Sequence, residues 1–181
     1  MSDNLPIKRL DSHVAWSCAW YNVRQDRILL PDGSQGIYNV LQTPGQGSVW
    51  IVPLTPYREV VMIHTYRYTL GQWVWELPAG SIKPDQTPLE AAQEELRQEV
   101  GGQSTDWHFL TRLSTINGIG DLYGHFFLAR NVTLDTPHHE PAEVMTVHAF
   151  PLEKALDMAR SGQMNDALSV LALLLAAPLL E

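Results

Sequence analysis

The sequence predicts an α/β protein with a mixed β-sheet sandwiched between helices (α/β/α) and an additional N-terminal antiparallel sheet. Three observations carry this reading. Ser48 to Leu54 and Val60 to Tyr68 are near-continuous in Val, Ile and aromatic residues, as strands buried on two faces should be. One central helix stands within strand-rich text and two helical segments close the chain, which calls for helices packed around a sheet. From Val14 to Thr43 the chain reads as short strands broken by turns.

The elements follow in order. Residues 1 to 12 are polar and expected to fray. Ala15 to Val23, rich in Trp, Tyr and Val, is a strand, Arg27 to Leu30 a shorter one, and Gly36 to Gln42 a third. Pro31-Asp32-Gly33 is the turn signal before that third strand. Residues 1–45 are thus read as an N-terminal strand unit and residues 46–181 as the main domain. Pro53 and Pro56-Tyr57-Arg58 mark the connection between the two buried strands, and Trp73 to Leu77 leads into a loop carrying Pro78, Gly80, Pro84 and Pro88. After the central helix, Trp107 to Leu113 and Asp121 to Ala129 are strands, Thr133 to Ala142 is a loop, and Val144 to Phe150 is the last strand. Leu152 to Arg160 and Asn165 to Ala176 are helices joined by Ser161-Gly162.

The central helix, from about Pro88 to Val100, is written with unusual clarity. Thr87 is an N-cap residue, proline takes the first helical position, and Glu90 completes a capping box. Gly101 and Gly102 end it where a left-handed residue costs little. At about 100° per residue, Leu89, Ala92, Leu96 and Val100 form one apolar stripe. Glu95 and Glu99, four apart, stack at its edge, whereas Glu90, Glu94 and Arg97 are expected to point to water. Like charges at that spacing destabilise a helix by a few tenths of a kcal/mol, and a divalent cation would reverse the sign. Mg²⁺ takes oxygen ligands, commonly one or two carboxylates with substrate phosphate.

Composition excludes several classes. A net charge of −8 and a pI near 5.3 argue against a nucleic-acid partner, which needs a basic face. Cys18 is the single cysteine, so neither a disulfide framework nor a thiolate zinc site is expected. The longest apolar run, Leu171 to Leu180, is broken by Pro178 and too short for a bilayer, so no membrane partner is expected. No signal segment is read at the start, and a cytoplasmic protein is expected. Gly118, Gly120 and Gly124 miss the dinucleotide-binding spacing and precede a strand; they are expected to shape a loop that faces substrate.

Residues 76–102, ELPAGSIKPDQTPLEAAQEELRQEVGG, resemble the signature of the Nudix hydrolases, G-x5-E-x7-R-E-U-x-E-E-x-G-U with U a bulky aliphatic. With Gly80 as the first glycine, Glu95, Leu96, Glu99 and Gly101 are on pattern. Gln86 replaces the first glutamate, Glu94 the arginine, Gln98 the first glutamate of the pair, and Gly102 the last aliphatic. Glu76 to Gly80 is similar to the entry segment of the ADP-ribose pyrophosphatase branch, and the resemblance runs from about Leu29 to Leu174. It implies a Nudix fold and Mg²⁺-dependent cleavage, with Mn²⁺ an alternative cation, of ADP-ribose or a related nucleoside diphosphate sugar to a nucleoside monophosphate and a sugar phosphate. It also implies a homodimer formed through the N-terminal sheet.

The resemblance further implies roles residue by residue. Glu95, Glu99 and the Ala79 carbonyl are the metal ligands, with Glu95 also in the catalytic set. Glu140, in a stretch whose E-x-x-E-V spacing matches the branch, is the first choice of general base and Glu143 the second. Arg67, in Thr65-Tyr66-Arg67-Tyr68, is similar to a branch arginine that faces phosphate, and a guanidinium fork suits phosphate oxygens. Arg24 is a weaker substrate-binding candidate. Trp50, Trp73 and Trp75 offer stacking surfaces for a base. Asp166 matches a branch position but reads as a helix start. The departures carry their own expectations: Gln86 can donate to Glu94, while Gln98 offers a metal only a neutral carbonyl oxygen and cannot act as a base. Catalysis would then be weakened, and the alternative is a nucleotide-binding module that keeps the pocket without the chemistry. A structural protein using the helix Asn165 to Ala176 is a third reading.

Overall fold

The computed structural model describes residues 5–43, 45, 47–137 and 144–180. The two continuous apolar runs become β4 (Ser48–Pro53) and β5 (Glu59–Arg67), which follow an N-terminal trio β1 (Lys8–Ser17), β2 (Asn22–Leu29) and β3 (Gln35–Gln42). Then come β6 (Gln72–Glu76), β7 (Ala79–Ser81), α1 (Pro88–Val100), β8 (Gly102–Gln103), β9 (Asp106–Ser114), β10 (Tyr123–Arg130), β11 (Thr133–Leu134) and β12 (Met145–Pro151). The chain closes with α2 (Leu152–Ser161), α3 (Ala167–Ala176) and a short 3-10 turn at Ala177–Leu179.

One four-stranded sheet runs β7-β4-β10-β9, with β4 and β10 parallel and the rest antiparallel; a second runs β12-β5-β6. Alternation along each buried strand assigns its side chains to two cores. Val52, Val60, Met62, Phe126 and Leu128 pack with α2 and α3, while Val49, Ile51, Val61, Ile63, Phe127 and Ala129 pack with α1. Both faces are apolar because both are covered, the physical content of the α/β/α arrangement. A face of α3 with Ser169, Ala172, Leu173 and Ala176 is buried in the first of these cores. Among the described residues, no helix is long and apolar enough to cross a membrane.

The N-terminal unit is the antiparallel sheet β1-β2-β3. Two local expectations there need correction. The strand begins at Lys8, so the polar opening does not fray as far as residue 12, and Ala15 to Val23 is not one strand but straddles the hairpin between β1 and β2. Cross-strand pairing supplies the order that the polar text of β1 does not advertise. The Gly118–Gly120 loop docks on β3: Leu41 N–H donates to the Ile119 carbonyl at 2.7 Å and the Tyr38 hydroxyl to the Gly118 carbonyl at 2.9 Å.

Candidate functional site

The helix start is built as its sequence dictates. Thr87 accepts from the Glu90 N–H at 3.3 Å, the Glu90 carboxylate accepts from the Thr87 N–H at 2.8 Å, and Pro88 opens the helix. Gly101, at φ 66°, closes it in the left-handed conformation, where its N–H returns to the Arg97 and Leu96 carbonyls. Between these caps Ala91, Ala92, Leu96, Glu99 and Val100 are buried. Leu89 is not in the stripe: it is 38 % exposed, whereas Ala91 in the same first turn is buried in the core.

Strand β7 runs past the glutamate edge of this helix. The Ala79 N–H donates to Glu99 Oε2 at 2.9 Å, and Glu99 is only 6 % exposed. The half-buried Glu95 carboxylate lies directly against Gly80. A β-carbon at residue 80 would stand 2.6 Å from Glu95 Oε2 and closer still to Oε1 and Cδ, so only glycine admits the carboxylate there. Glu95, Glu99 and Ala79 are thus drawn together by one helix face and one three-residue strand.

Beside them opens a cleft lined by Ser48, Trp50, Arg67, Glu76, Ala79, Gly80, Ser81 and Asp166. Arg67 sits in it, its Nε donating to Glu76 Oε1 at 2.7 Å and one Nη to Glu76 Oε2. The Glu76 side chain is 8 % exposed and that of Arg67 49 %, so a buried carboxylate holds a guanidinium at the cleft surface. The hydrogen bonds that Arg67 donates to Glu76 raise its pKa, with the charges of Glu76, Glu99 and Asp166 adding to the effect. Asp166 is the N-cap of α3, as its position suggested, accepting from the Ser169 N–H at 2.8 Å. Ser169 Oγ donates to the same carboxylate at 2.6 Å and accepts from the buried Leu77 N–H at 2.9 Å, which ties α3 to the entry segment.

The substituted positions form one network. Glu94 does not point into water: its side chain is 24 % exposed and collects three donors. Lys83 Nζ and Gln98 Nε2 each donate to Oε1 at 2.9 Å, and Gln86 Nε2 donates to Oε2. Gln86 uses its other end as well, accepting from the Lys83 N–H at 3.2 Å. The Lys83 hydrogen bond, followed by that of Gln86, lowers the Glu94 pKa, and Glu94 in turn raises that of Lys83.

Arg24 belongs to a different group. It chelates Asp26 through Nε at 2.9 Å and Nη2 at 3.0 Å, and its Nη1 lies 3.7 Å from Asp121, which also accepts from Gln42. Of the three tryptophans, Trp50 lines the cleft and stacks on Phe126 at 5.4 Å, whereas Trp73 and Trp75 cluster with His64 on the second sheet. Glu140 and Glu143, with His138 and His139, lie outside the described residues. The chain on either side of them is anchored beside the site. The Asp135 N–H donates to the Gly101 carbonyl at 2.9 Å, and the Val144 carbonyl accepts from the Tyr66 N–H at 3.2 Å.

Three participants escape the sequence. Glu76 is visible there only as the first letter of the entry segment; the β5-β6 register sets it opposite Ile63, and only the long Arg67 side chain brings a guanidinium to its buried carboxylate. Lys83 meets Glu94 eleven positions away across a loop, a distance no helical periodicity encodes. Ser169 carries no signal beyond following an N-cap aspartate.

Among the described residues no three His, Cys, Asp or Glu side chains converge on one point. The donors that do meet are hard oxygens, two carboxylates packed against a strand backbone with room made by Gly80, and that chemistry fits a hard divalent cation.

Comparison with known proteins places this arrangement. The NUDIX domain family matches residues 44–169, and the nucleoside diphosphate sugar hydrolase N-terminal domain family matches residues 7–41. An ADP-ribose pyrophosphatase of Mycobacterium tuberculosis is 31 % identical over 172 residues, 93 % of this chain and 82 % of that protein. The methanol dehydrogenase activator of Bacillus methanolicus is 24 % identical over 91 % of this chain and 89 % of its own. A crystal structure of an ADP compounds hydrolase superposes with a TM-score of 0.86, covering 99 % of this chain and 97 % of its own at 21 % identity, a likeness of fold. The chain therefore belongs to the Nudix family, as a hydrolase of its ADP-ribose pyrophosphatase-like branch.

Proposed function

We propose that the protein is a metal-dependent hydrolase that cleaves the diphosphate of ADP-ribose or a related nucleoside diphosphate sugar, giving a nucleoside monophosphate and a sugar phosphate. The observation that carries this is the packing of the Glu95 and Glu99 carboxylates against Ala79 and Gly80, beside a cleft that holds Arg67. Glu95, Glu99 and the Ala79 carbonyl would hold Mg²⁺ or Mn²⁺. An extended residue carries its N–H and carbonyl to the same side, and the Ala79 N–H already meets Glu99. A cation bound there supplies neutralisation of diphosphate charge and a lowered pKa for an attacking water.

The chain's own groups do the rest. Arg67, tethered by Glu76 through Nε and one Nη, has its remaining N–H groups for phosphate oxygens. Its attachment to a buried carboxylate limits the side-chain entropy lost on binding. Glu140, with Glu143 second, is the proposed general base; of the described residues that flank them, Asp135 bonds to Gly101 at the helix end and Val144 to Tyr66, next to Arg67. Ser48, Trp50 and Ser81 line the part of the cleft next to Gly80. Arg24 is the weaker substrate-binding candidate, since its guanidinium is engaged by Asp26 and lies near Asp121. A homodimer is proposed on the N-terminal sheet, which exposes Leu10, Val14, Trp16 and Ile37. The free Cys18 agrees with a cytoplasmic setting.

The test is Glu99→Gln. Turnover of ADP-ribose in Mg²⁺ should fall to background, while the thermal midpoint stays close to wild type because the amide keeps an acceptor for the Ala79 N–H. Wild-type turnover in that variant would sink the assignment. A wild-type protein that is thermally shifted by ADP-ribose but releases no product would favour the nucleotide-binding module, for which Gln86, Glu94 and Gln98 are the motivating residues.

A further inference from the structure

We propose that Lys83 and Glu94 are a positioning pair that fixes the side-chain amide of Gln98 with its carbonyl oxygen turned to the Glu95–Glu99 stripe, where it serves as a neutral oxygen donor. This rests on the reading of Glu95 and Glu99 as metal ligands.

The argument begins with what each group can do. A carboxylate only accepts, so the Gln98 atom that meets Glu94 Oε1 at 2.9 Å must be its nitrogen. The carbonyl oxygen of the same planar amide then faces away from Glu94. Residues 94 and 98 stack one turn apart on α1, and residues 95 and 99 stack beside them, about 100° around the helix. Gln98 thus lies between the Glu94 row and the glutamate edge, and the oxygen turned from one faces the other.

The rest of the network holds Glu94 in place. Lys83 Nζ at 2.9 Å and the Gln86 amide nitrogen supply donors to both carboxylate oxygens, and Gln86 is itself held by the Lys83 N–H. Both ends of the Gln86 amide are used, so its orientation is determined. The cation therefore comes from the loop before α1 instead of from the helix, where the family signature carries an arginine. The polarity of the pair is reversed, and reversal explains why an amide, not a carboxylate, occupies residue 98. A glutamate there would set two like charges one turn apart on the same oxygen-rich spot.

The lysine end of the pair is 58 % exposed, so its contribution to stability is small. Its effect should appear in the metal site, where groups that orient ligands typically govern about 10- to 100-fold in affinity. The experiment is a titration of the full chain with Mn²⁺, reading free Mn²⁺ by electron paramagnetic resonance, on wild type, Glu94→Leu, Gln98→Leu, their double variant and the isosteric Glu94→Gln. Gln98→Leu and Glu94→Leu should each weaken Mn²⁺ binding about tenfold or more. The double variant should bind no worse than the weaker single, and Glu94→Gln, which keeps a carbonyl acceptor for the Gln98 amide, should bind within about threefold of wild type. Wild-type affinity in Glu94→Leu, or losses that multiply in the double variant, would overturn the positioning role while leaving the metal reading in place. Should Glu94→Leu not fold, a tenfold loss in folded Glu94→Gln overturns it equally. Wild-type affinity in Gln98→Leu removes Gln98 as a donor. A wild-type chain that takes up no Mn²⁺ overturns the metal reading itself, and this proposal with it.

Discussion

Replacing Gly80 by alanine should disable the protein without unfolding it. The added methyl would stand 2.6 Å from Glu95 Oε2 and nearer still to Oε1 and Cδ, against an ordinary contact of 3.4 Å or more. The carboxylate must therefore retreat by more than about 1 Å. Because the obstacle is the far end of a flexible side chain, the fold gives way locally, at the cost typical of mild overpacking, about 1–3 kcal/mol. Part of this is offset by the lower unfolded-state entropy of alanine, about 0.4–1 kcal/mol. For a chain of this length the thermal midpoint should drop by about 2–4 °C per kcal/mol of net loss. Activity is far less tolerant, since a 1 Å misplacement of a catalytic group can cost about 100-fold. The assay is ADP-ribose hydrolysis in Mg²⁺, with phosphate released from the products by an added phosphatase, alongside a thermal melt. A Gly80→Ala protein that melts within a few degrees of wild type and turns over within about threefold of it would refute the placement of Glu95 in the chemistry.

Two further outcomes test the supports around the site. Ser169→Ala leaves the buried Leu77 N–H without its acceptor and removes a donor from Asp166, and it should cost about 1–3 kcal/mol in urea unfolding. A loss under about 0.5 kcal/mol would mean that α3 does not anchor the entry segment. The half-buried His125 titrates below its ordinary 6.5, pushed down first by burial and then by the Arg112 charge. The unfolded chain takes up this proton first, so the stabilisation is complete above about pH 6.5 and is lost as pH falls towards the folded value. Thermal midpoints of His125→Phe should accordingly decline less between pH 7.5 and 5.5 than those of wild type. Parallel declines would show that His125 is not the group responsible.

What was legible in the sequence was whatever is encoded over one or two turns of chain. The capping box, the proline at the first helical position and Gly101 delimit α1 at Pro88 and Val100 because each acts on orphan backbone groups a few residues away. The unbroken apolar runs of β4 and β5 announce a sheet covered on both faces. The Glu95–Glu99 stack follows from helical pitch, and the Gln86 to Glu94 hydrogen bond from the complementarity of an amide and a carboxylate. Leu89 shows the limit: the same pitch puts it in the stripe, but it is exposed while Ala91 is buried, and which side of a first turn is covered is decided by the packed neighbours.

Periodicity, caps and residue types act locally, and they set the layers, the central helix and the identity of the chemical groups. Tertiary structure alone decided which groups meet. It brought Lys83 to Glu94, Glu76 to Arg67 and Ser169 to Leu77, and it left Arg24 with Asp26 and Asp121. The reason is that hydrogen bonds and ion pairs act over a few ångströms of space, whatever the separation along the chain, and strand pairing sets those distances only once the sheets have formed.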